Sequence, residues 1–231
     1  GSGAIGSEFA YYYNEFGTKV HMIEILDRIL PIEDADVSKE VEKSFKKSSI
    51  KISTGTKVSK IESLKTKVKV HTERNGKKEI LEGDLALLAV GVTGNIEYLG
   101  LEELGIETNG GTITINEFNQ TNIPNIFAIG DVSGPPWLAH VASAQGHVAA
   151  DYIGGHSPKP VDYSNIPSCT YCQPQVGSLG MTEAQAKDAG YDVKVGKFLF
   201  QASGKAMAIG DTTGFVKLVF DGKYGELLGA H

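Results

Sequence analysis

Basic residues, cysteines and long apolar segments are all scarce in this sequence of 231 residues. Lysine and arginine total 22 against 28 acidic residues, and no basic stripe is present, so we expect no nucleic-acid partner. Two cysteines do not make a disulfide framework. The longest apolar runs, such as residues 85–92, have the length of a strand, so we expect no membrane-spanning segment.

The front of the chain also lacks an initiator methionine and a recognisable signal peptide. The composition, with 41% hydrophobic and 22% charged residues, is ordinary for a globular protein of one to two domains. These numbers leave globular enzymes and binding domains as the classes to consider.

The first 24 residues carry the most informative pattern. Gly1, Gly3 and Gly6 have the spacing G-x-G-x-x-G, and Gly17 is placed to end a helix. A strand is predicted over residues 18–25, with Glu24 near its end. The apolar residues that predict a helix over residues 4–16 recur near i, i+3 and i+4 spacing: Ile5, Phe9, Tyr12, Tyr13 and Phe16.

This glycine spacing is typical of a dinucleotide site. The first glycine permits a tight turn, the second lets the backbone approach a pyrophosphate, and the third lets the helix pack close to a strand. The helix N-terminus attracts phosphate, and an acid about 20 residues on binds a ribose hydroxyl. Because the carboxylate of Glu24 would repel a 2′-phosphate, we expect NAD rather than NADP. The alternative is a glycine turn that opens an ordinary αβ unit.

A strand should precede the first glycine of this motif, and the sequence begins at that glycine. We therefore expect the chain to be a piece of a longer protein. Near the other end, the last predicted strand stops at His231 without the helices that would cover such a sheet, which favours the same interpretation.

The middle of the chain alternates between helix and strand signals. Helices are predicted over residues 36–47 and 138–153, with a short one within 95–105, and Val37, Val41 and Phe45 are expected to face inward. Residues 50–81 predict an antiparallel meander with a hairpin at Asn75-Gly76. Buried strands are predicted over 85–90 and 125–129, and a linker over 154–164. Arg28 fits a solvated loop better than a phosphate contact.

The residues after the linker predict a second, antiparallel sheet. Its strands are expected near residues 168–176, 192–200, 214–220 and 226–231, with one helix over 182–189 that Thr182 and Gln185 would cap. Cys169 and Cys172 lie three apart on a strand and so point to opposite faces, which favours structural cysteines over a disulfide. A single C-x-x-C is weak evidence for zinc, and no metal site is predicted.

The ordered motifs resemble the flavin-dependent pyridine nucleotide-disulfide oxidoreductases, and among these the lipoamide branch. The segments that carry the resemblance are GSGAIGSEFA, HMIE, LLAVGVTGN, IPNIFAIGDV, LAH, IPSCTYCQPQVGSLGMTEAQA, VGKFLF, GFVKL and LLGAH, and they span the whole chain. The implied fold is α/β: a Rossmann-like NAD-binding domain with an inserted meander, followed by part of an α+β dimer-interface domain. The implied boundaries are 1–115 for the NAD domain, 116–155 for a returning FAD-domain segment, and 156–231 for the interface domain.

The resemblance also implies cofactor-binding residues. Glu8 would lie where nicotinamide and flavin stack, Val58 would line the adenine, and Asp131 would bind the flavin's ribitol. The full implied NAD set is Gly1, Gly3, Ala4, Ile5, Gly6, Glu8, Glu24, Val58 and Gly91. The implied FAD set is Asp131, Trp137, Leu138, Ala139 and His140.

The resemblance implies a cytoplasmic homodimer that oxidises dihydrolipoamide and passes the electrons through a redox disulfide and FAD to NAD⁺. The implied partners are the components of 2-oxoacid dehydrogenase complexes that carry lipoyl domains. The family's C-x-x-x-x-C and its catalytic His-Glu pair are not in these 231 residues, so we expect no catalytic residue here and an inactive piece. The sequence leaves open a glutathione, mercuric or CoA-disulfide reductase, and a stand-alone NAD-binding module.

Overall fold

A computed structural model describes all 231 residues and divides them into two compact units. The first unit joins Gly1–Val90 to Pro167–His231, and the second is Gly91–Ile166. None of the helices is long and apolar enough to cross a lipid bilayer.

The first unit opens with a helix and two short parallel strands. Helix α1 (Ala4–Glu15) and strand β1 (His21–Ile23) confirm the predicted helix and strand at the front of the chain. Helix α2 (Ala35–Lys47) follows, and β2 (Lys51–Ser53) then pairs with β1 in parallel, Met22 opposite Ile52. Glu24 is therefore the first residue beyond β1.

Helix α1 buries a different face from the one its apolar pattern suggests. Its buried residues are the small ones, Gly6, Ser7 and Ala10. The five apolar residues that predicted the helix are between 42% and 75% exposed: Ile5, Phe9, Tyr12, Tyr13 and Phe16. Small side chains face inward because they allow the helix to approach its neighbours closely.

Helix α2 supplies much of the apolar core of the first unit. The side chain of Asp34 caps its N-terminus by accepting from the Asp36 N–H, and Val37, Val41 and Phe45 are buried as predicted. The core cluster comprises Ala10, Met22, Ile29, Leu30, Val37, Val41, Phe45, Ile50, Cys172 and Val176. Residues from both ends of the chain thus share one core.

The predicted meander is confirmed. Strands β3 (Lys57–Ser63), β4 (Val68–Arg74) and β5 (Lys77–Gly83) form a three-stranded antiparallel sheet. Asn75 and Gly76 make the hairpin turn with positive φ angles of 51° and 76°, as this dipeptide favours.

The second unit contains a small hairpin and one long helix. Strands β6 (Thr108–Asn109) and β7 (Thr112–Ile113) pair in antiparallel fashion. Helix α3 (Ala139–Ile153) confirms the predicted helix. The core of this unit comprises Leu101, Ile106, Ile113 and Ala128, with Ile96, Ile115, Ile123, Ile126 and Val132 packed against it.

The C-terminal part of the first unit is a five-stranded antiparallel sheet. Its strands are β8 (Ser168–Thr170), β9 (Val176–Gly180), β10 (Val193–Leu199), β11 (Phe215–Asp221) and β12 (Leu227–Ala230), in the order β10-β11-β12-β9-β8. An antiparallel sheet is predicted there with four strands, but residues 168–180, where one strand is expected near 168–176, form two strands. Thr182 and Gln185 form the expected capping box on α4 (Glu183–Asp188). A further helix, α5 (Gly204–Ile209), was not predicted.

Three predicted elements are wrong. Residues 85–90 and 125–129 are not strands, because a strand requires a hydrogen-bonded neighbour; the second segment makes only an isolated bridge between Gln120 and Phe127. Leu85 and Val90 are 91% and 80% exposed rather than buried. Residues 95–105 form turns instead of a helix, with Gly100 and Gly105 at positive φ.

Candidate functional site

The glycine turn at the front of the chain is fixed by close packing at its first and third glycines. A Cβ atom on Gly1 would overlap the carbonyl oxygen of Ala89, and one on Gly6 would overlap the carbonyl oxygen of Gly1. The N-terminal ammonium of Gly1 also donates to the Ile23 carbonyl at 3.0 Å, at the end of β1. Two of the three glycines are therefore required by the fold itself.

Gly3 is different, because neither its backbone nor its surroundings require glycine. Its φ of −65° suits any residue, and a Cβ atom placed there would meet nothing within 4 Å. Gly3 is the N-cap of α1, whose N-terminus carries no side-chain cap and no acid in its first turn, where Ala4 and Ile5 lie. The turn thus leaves open space in front of a helix N-terminus, an arrangement that attracts anions.

The carboxylate of Glu24 faces this turn. Its Oε2 accepts from the backbone N–H and the hydroxyl of Ser2, both at 2.8 Å, and its Oε1 accepts from the Leu26 N–H at 2.9 Å. Glu24 as a residue is only 7% exposed. Burial opposes its ionisation, but the donors on Leu26 and Ser2 outweigh that effect and lower the pKa of Glu24. An ionised acid therefore lies beside the glycine turn at neutral pH.

Ser2 joins the turn to the loop that follows Glu24. Its carbonyl oxygen accepts from the Leu30 N–H at 2.8 Å and from the Ser7 hydroxyl at 3.2 Å. Ser2 is fully buried, and all of its polar groups are hydrogen-bonded. No sequence motif marks Ser2, because its role depends on residues 22 and 28 positions away.

Three other predicted NAD residues make no side-chain hydrogen bond to this turn: Glu8, Val58 and Gly91. Glu8 accepts from the Tyr171 N–H at 2.8 Å through its Oε1. Val58 lies on β3 opposite Thr72 and is 39% exposed. Gly91 opens the second unit with a φ of 137°, which only glycine adopts readily. Their roles toward a cofactor stay predictions.

The second unit carries a second turn, at Gly130-Asp131. Residues Gly130–Ser133 form one 3-10 helical turn, and Asp131 is exposed. The Gly130 N–H donates to the side-chain oxygen of Gln145 at 2.6 Å. Gln145 is buried on α3 and in turn donates to the Tyr163 hydroxyl at 2.8 Å. No sequence motif marks this glutamine, so its role is visible only in the structure.

The remaining predicted FAD residues surround the start of α3. The indole N–H of Trp137 donates to the Asp131 carbonyl at 3.3 Å, so these two predicted residues are brought together. Leu138 is the N-cap of α3, and Ala139 and His140 are exposed in its first turn. Contact of these residues with a flavin stays a prediction.

The two cysteines are both free thiols. Cys169 is exposed, whereas Cys172 is buried and donates to the Pro174 carbonyl. Burial, together with the charge of Glu8, raises the pKa of Cys172 to about 12. Among the side chains of the chain, no group of three or more histidines, cysteines and acids has the arrangement of a metal site.

Two protein families match consecutive parts of the chain. Residues 1–146 match the pyridine nucleotide-disulphide oxidoreductase family, and residues 166–231 match the dimerisation domain of pyridine nucleotide-disulphide oxidoreductases. These matches agree with the predicted α/β class, in which a meander and a C-terminal antiparallel sheet accompany the helices.

Curated relatives resemble the whole chain. The chain is 49% identical to a dihydrolipoyl dehydrogenase of Mycobacterium leprae, 47% identical to one of Rhizobium etli and 43% identical to one of Bacillus subtilis. Each alignment covers 100% of this chain and 48–50% of the relative. The chain therefore spans about half the length of the curated relatives it matches.

Solved structures give the same result. The structure titled LpdA from Mycobacterium tuberculosis superposes with a TM-score of 0.88 at 26% identity, over 99% of this chain and 50% of that one. The HOCl-induced flavoprotein disulfide reductase RclA from Escherichia coli superposes with a TM-score of 0.90 at 29% identity, over 100% of this chain and 52% of that one.

Proposed function

Because this chain belongs to the pyridine nucleotide-disulphide oxidoreductase family, we propose that its glycine turn binds NAD. The observation that carries this proposal is the open space at Gly3. Gly3 has no positive φ and no close neighbour in the chain that would require glycine, although glycine is a better N-cap than alanine. A ligand that must approach the backbone closely explains a glycine there, and a pyrophosphate at the N-terminus of α1 is such a ligand.

The acid beside the turn sets the preferred nucleotide. Glu24 would accept hydrogen bonds from the hydroxyls of the adenosine ribose, since its carboxylate is ionised and already aimed at the turn through Ser2. A phosphate on the 2′ oxygen would bring a second negative charge to this buried carboxylate. We therefore propose NAD rather than NADP as the partner. Gly1, Ala4, Ile5, Gly6, Glu8, Val58 and Gly91 complete the proposed NAD set.

The second unit supplies residues that fit one side of a flavin site. Asp131 presents an exposed carboxylate on a turn that Gln145 holds, and Trp137, Leu138, Ala139 and His140 follow it at the start of α3. The Asp131 carboxylate would bind the ribitol hydroxyls, and the residues at the start of α3 would lie beside the flavin ring. FAD and NAD supply a two-electron hydride transfer that no side chain provides.

We assign to the whole protein the oxidation of dihydrolipoamide by NAD⁺. In the net reaction the substrate's two thiols close to a disulfide, and their two electrons and one proton reduce NAD⁺ to NADH while the second proton is released. The family resemblance implies that a redox disulfide and FAD would supply the path for these electrons in the whole protein. A homodimer, lipoyl-domain partners in 2-oxoacid dehydrogenase complexes and a cytoplasmic location belong to the same proposal, which the dihydrolipoyl dehydrogenase relatives support.

Binding of NAD to the chain is tested by titration calorimetry with the Gly3→Ala variant. The added methyl occupies the space left for the pyrophosphate but meets no protein atom, so affinity for NAD should fall at least about tenfold while the fold is kept. Gly196→Ala is the matched control, since Gly196 in β10 also has nothing within 4 Å. Equal NAD affinity in both variants and the parent chain would remove the proposal's support.

The assignment to dihydrolipoamide is tested separately on the full gene product. We expect dihydrolipoamide-dependent formation of NADH, with NADP⁺ a poor substitute. The structural similarity to RclA makes another flavin disulfide reductase the second candidate. Reduction of a different disulfide, such as glutathione or CoA disulfide, with no turnover of lipoamide would favour that alternative.

A further inference from the structure

A buried lysine from the C-terminal sheet lies among three carboxylates from elsewhere in the first unit. Lys217 lies on β11, and its side chain is 3% exposed. Its Nζ is 2.8 Å from Asp34 Oδ1, 2.7 Å from Glu183 Oε2 and 3.2 Å from Asp36 Oδ2. We call these four residues the Lys217 cluster.

Such a cluster is costly to bury and has to be held by specific contacts. Lysine is almost never fully buried unless it is paired. Asp36 also pairs with Lys197, and Glu183 also pairs with Lys187. Asp34 is the most enclosed of the three acids, with a side chain 2% exposed, whereas Asp36 and Glu183 are 33% and 31% exposed. The charge of Asp34 therefore depends on Lys217 more than the charges of Asp36 and Glu183 do.

The cluster fixes the segment where α2 begins. Asp34 caps α2 through Asp36 and also accepts from the backbone N–H of Glu183 at 3.2 Å. The preceding residue, Glu33, accepts from the Ser178 hydroxyl on β9 at 2.7 Å. Two strands of the C-terminal sheet, β9 and β11, thus anchor two consecutive residues of the N-terminal segment.

The loop that these anchors hold runs directly back to Glu24. Arg28 donates to the carbonyls of Pro31, at 2.8 Å, and Glu33, which ties the loop onto itself. Leu30 has a φ of 44°, an uncommon conformation for leucine, and is 1% exposed. Its N–H donates to the Ser2 carbonyl, and its carbonyl accepts from Ser38 on α2. A continuous set of contacts therefore joins Lys217 to the glycine turn.

We propose that Lys217 is a positioning residue that holds the 25–34 loop so that Ser2 and Glu24 keep the arrangement in which they receive a nucleotide. The identity of that nucleotide rests on the proposed function; the positioning of the loop does not. Lys217 touches no ligand in this scheme and acts only through Asp34 and the loop. The C-terminal sheet is thereby a structural support of the dinucleotide turn.

The test compares Lys217→Met with Val219→Ala, a matched control on the same strand. Val219 is fully buried but lies outside the core cluster that contains Leu30. Hydrogen exchange followed by NMR reports the Leu26 and Leu30 amides, whose acceptors are Glu24 and Ser2. We expect exchange at these amides to become at least about tenfold faster in Lys217→Met, because the loop opens locally. In Val219→Ala, compared under conditions that give both variants the same thermal midpoint, exchange at these amides should stay unchanged.

A second variant covers the case in which Lys217→Met does not fold, because it leaves the Asp34 charge buried and unpaired. The double variant Asp34→Asn/Lys217→Met removes both charges while keeping a good N-cap, since asparagine caps as well as aspartate. It should show the same local loss of protection at Leu26 and Leu30. Wild-type protection in either folded Lys217 variant would overturn the proposal.

Affinity for NAD separates this inference from the proposed function. If the parent chain binds NAD, the folded Lys217 variants should bind it about tenfold more weakly, in the range seen for residues coupled to a site, while Val219→Ala binds normally. Unchanged NAD affinity in the Lys217 variants would overturn the positioning role. If the parent chain does not bind NAD, the proposed function fails, and exchange at Leu26 and Leu30 alone decides the role of Lys217.

Discussion

The two turns that carry the predicted cofactor residues are held in very different ways. The turn at Gly1–Gly6 is enclosed: Ser2 is fully buried, Glu24 is buried behind it, and Gly1 and Gly6 are packed against backbone. The turn at Gly130–Ser133 is open: Asp131 is exposed, and the buried side chain that holds its backbone is Gln145.

This difference separates a site arranged by packing from one arranged by a single buried side chain. In the first turn the acid, the serine and the loop restrain one another, so each polar group already has its position before a ligand arrives. In the second turn the carboxylate of Asp131 is solvated, and Gln145 fixes only the backbone beside it. Replacing the acid should therefore cost far more stability in the first turn than in the second.

The largest effect is expected for Gly6→Ala. Alanine is the better helix former, but its methyl would overlap the Gly1 carbonyl oxygen. Overpacking against backbone should destabilise the chain by about 2.5 kcal/mol in spite of the gain in helix propensity. The measurement is urea unfolding followed by far-UV circular dichroism.

Gly3→Ala is the internal control for this prediction. It adds the same methyl to the same turn, in open space, and should cost no more than about 1 kcal/mol through the weaker N-cap. Equal stability losses in the two variants would show that packing does not hold the turn, and the contrast with the second turn would disappear.

An intermediate effect is expected for Glu24→Gln. The glutamine amide has one acceptor oxygen, so it can satisfy the donors of either Ser2 or Leu26 but places an NH₂ group against the others. The free energy of unfolding should therefore fall by about 1.5 kcal/mol at pH 7. The pKa of Glu24 is lowered on folding, so the folded state favours its ionised form and its contribution is complete above the unperturbed value of 4.5.

The stability difference between the parent chain and Glu24→Gln should therefore shrink as the pH falls below about 4.5, as the carboxylate is protonated. Other acids with lowered pKa values, such as Asp34, titrate in both proteins and cancel in the comparison. Unfolding measured between pH 7 and pH 3.5 checks the trend. A difference that is constant with pH would mean that the charge of Glu24 does not stabilise the turn.

The elements predicted well from sequence are those with local signals. The meander follows from the Asn75-Gly76 hairpin, α2 from its apolar period, and α4 from its capping box. The acid at the end of β1 and the glycine spacing likewise lie within 24 residues, so the first turn could be located from the sequence alone.

The features that the sequence did not disclose depend on residues far apart. Lys217 and Asp34 are 183 positions apart, and a lysine on an alternating strand reads as solvent-exposed until the fold brings acids to it. The apolar composition of residues 85–90 predicts a buried strand. Strand pairing and burial depend on neighbouring elements, which composition does not specify, and Leu85 and Val90 are exposed. The buried face of α1 differs from the predicted one for a related reason. The helix lies close to its neighbours, so the small residues Gly6, Ser7 and Ala10 are buried and the aromatic residues are not.

The smallest effect is expected for Asp131→Asn, the counterpart of Glu24→Gln in the second turn. The carboxylate of Asp131 is exposed, so replacing it should change stability by less than about 0.5 kcal/mol. Trp137, the single tryptophan of the chain, contacts Asp131 and provides a fluorescence signal from this turn during urea unfolding.

Gln145→Leu supplies the matched control, because it leaves the Gly130 N–H without its acceptor and should cost about 1.5 kcal/mol in the same fluorescence experiment. The ratio of the two losses measures how far the second turn depends on its buried support rather than on its acid. A loss in Asp131→Asn as large as that in Glu24→Gln would mean that the open turn is restrained by its carboxylate after all, since only a charge that organises donors around it costs that much to remove.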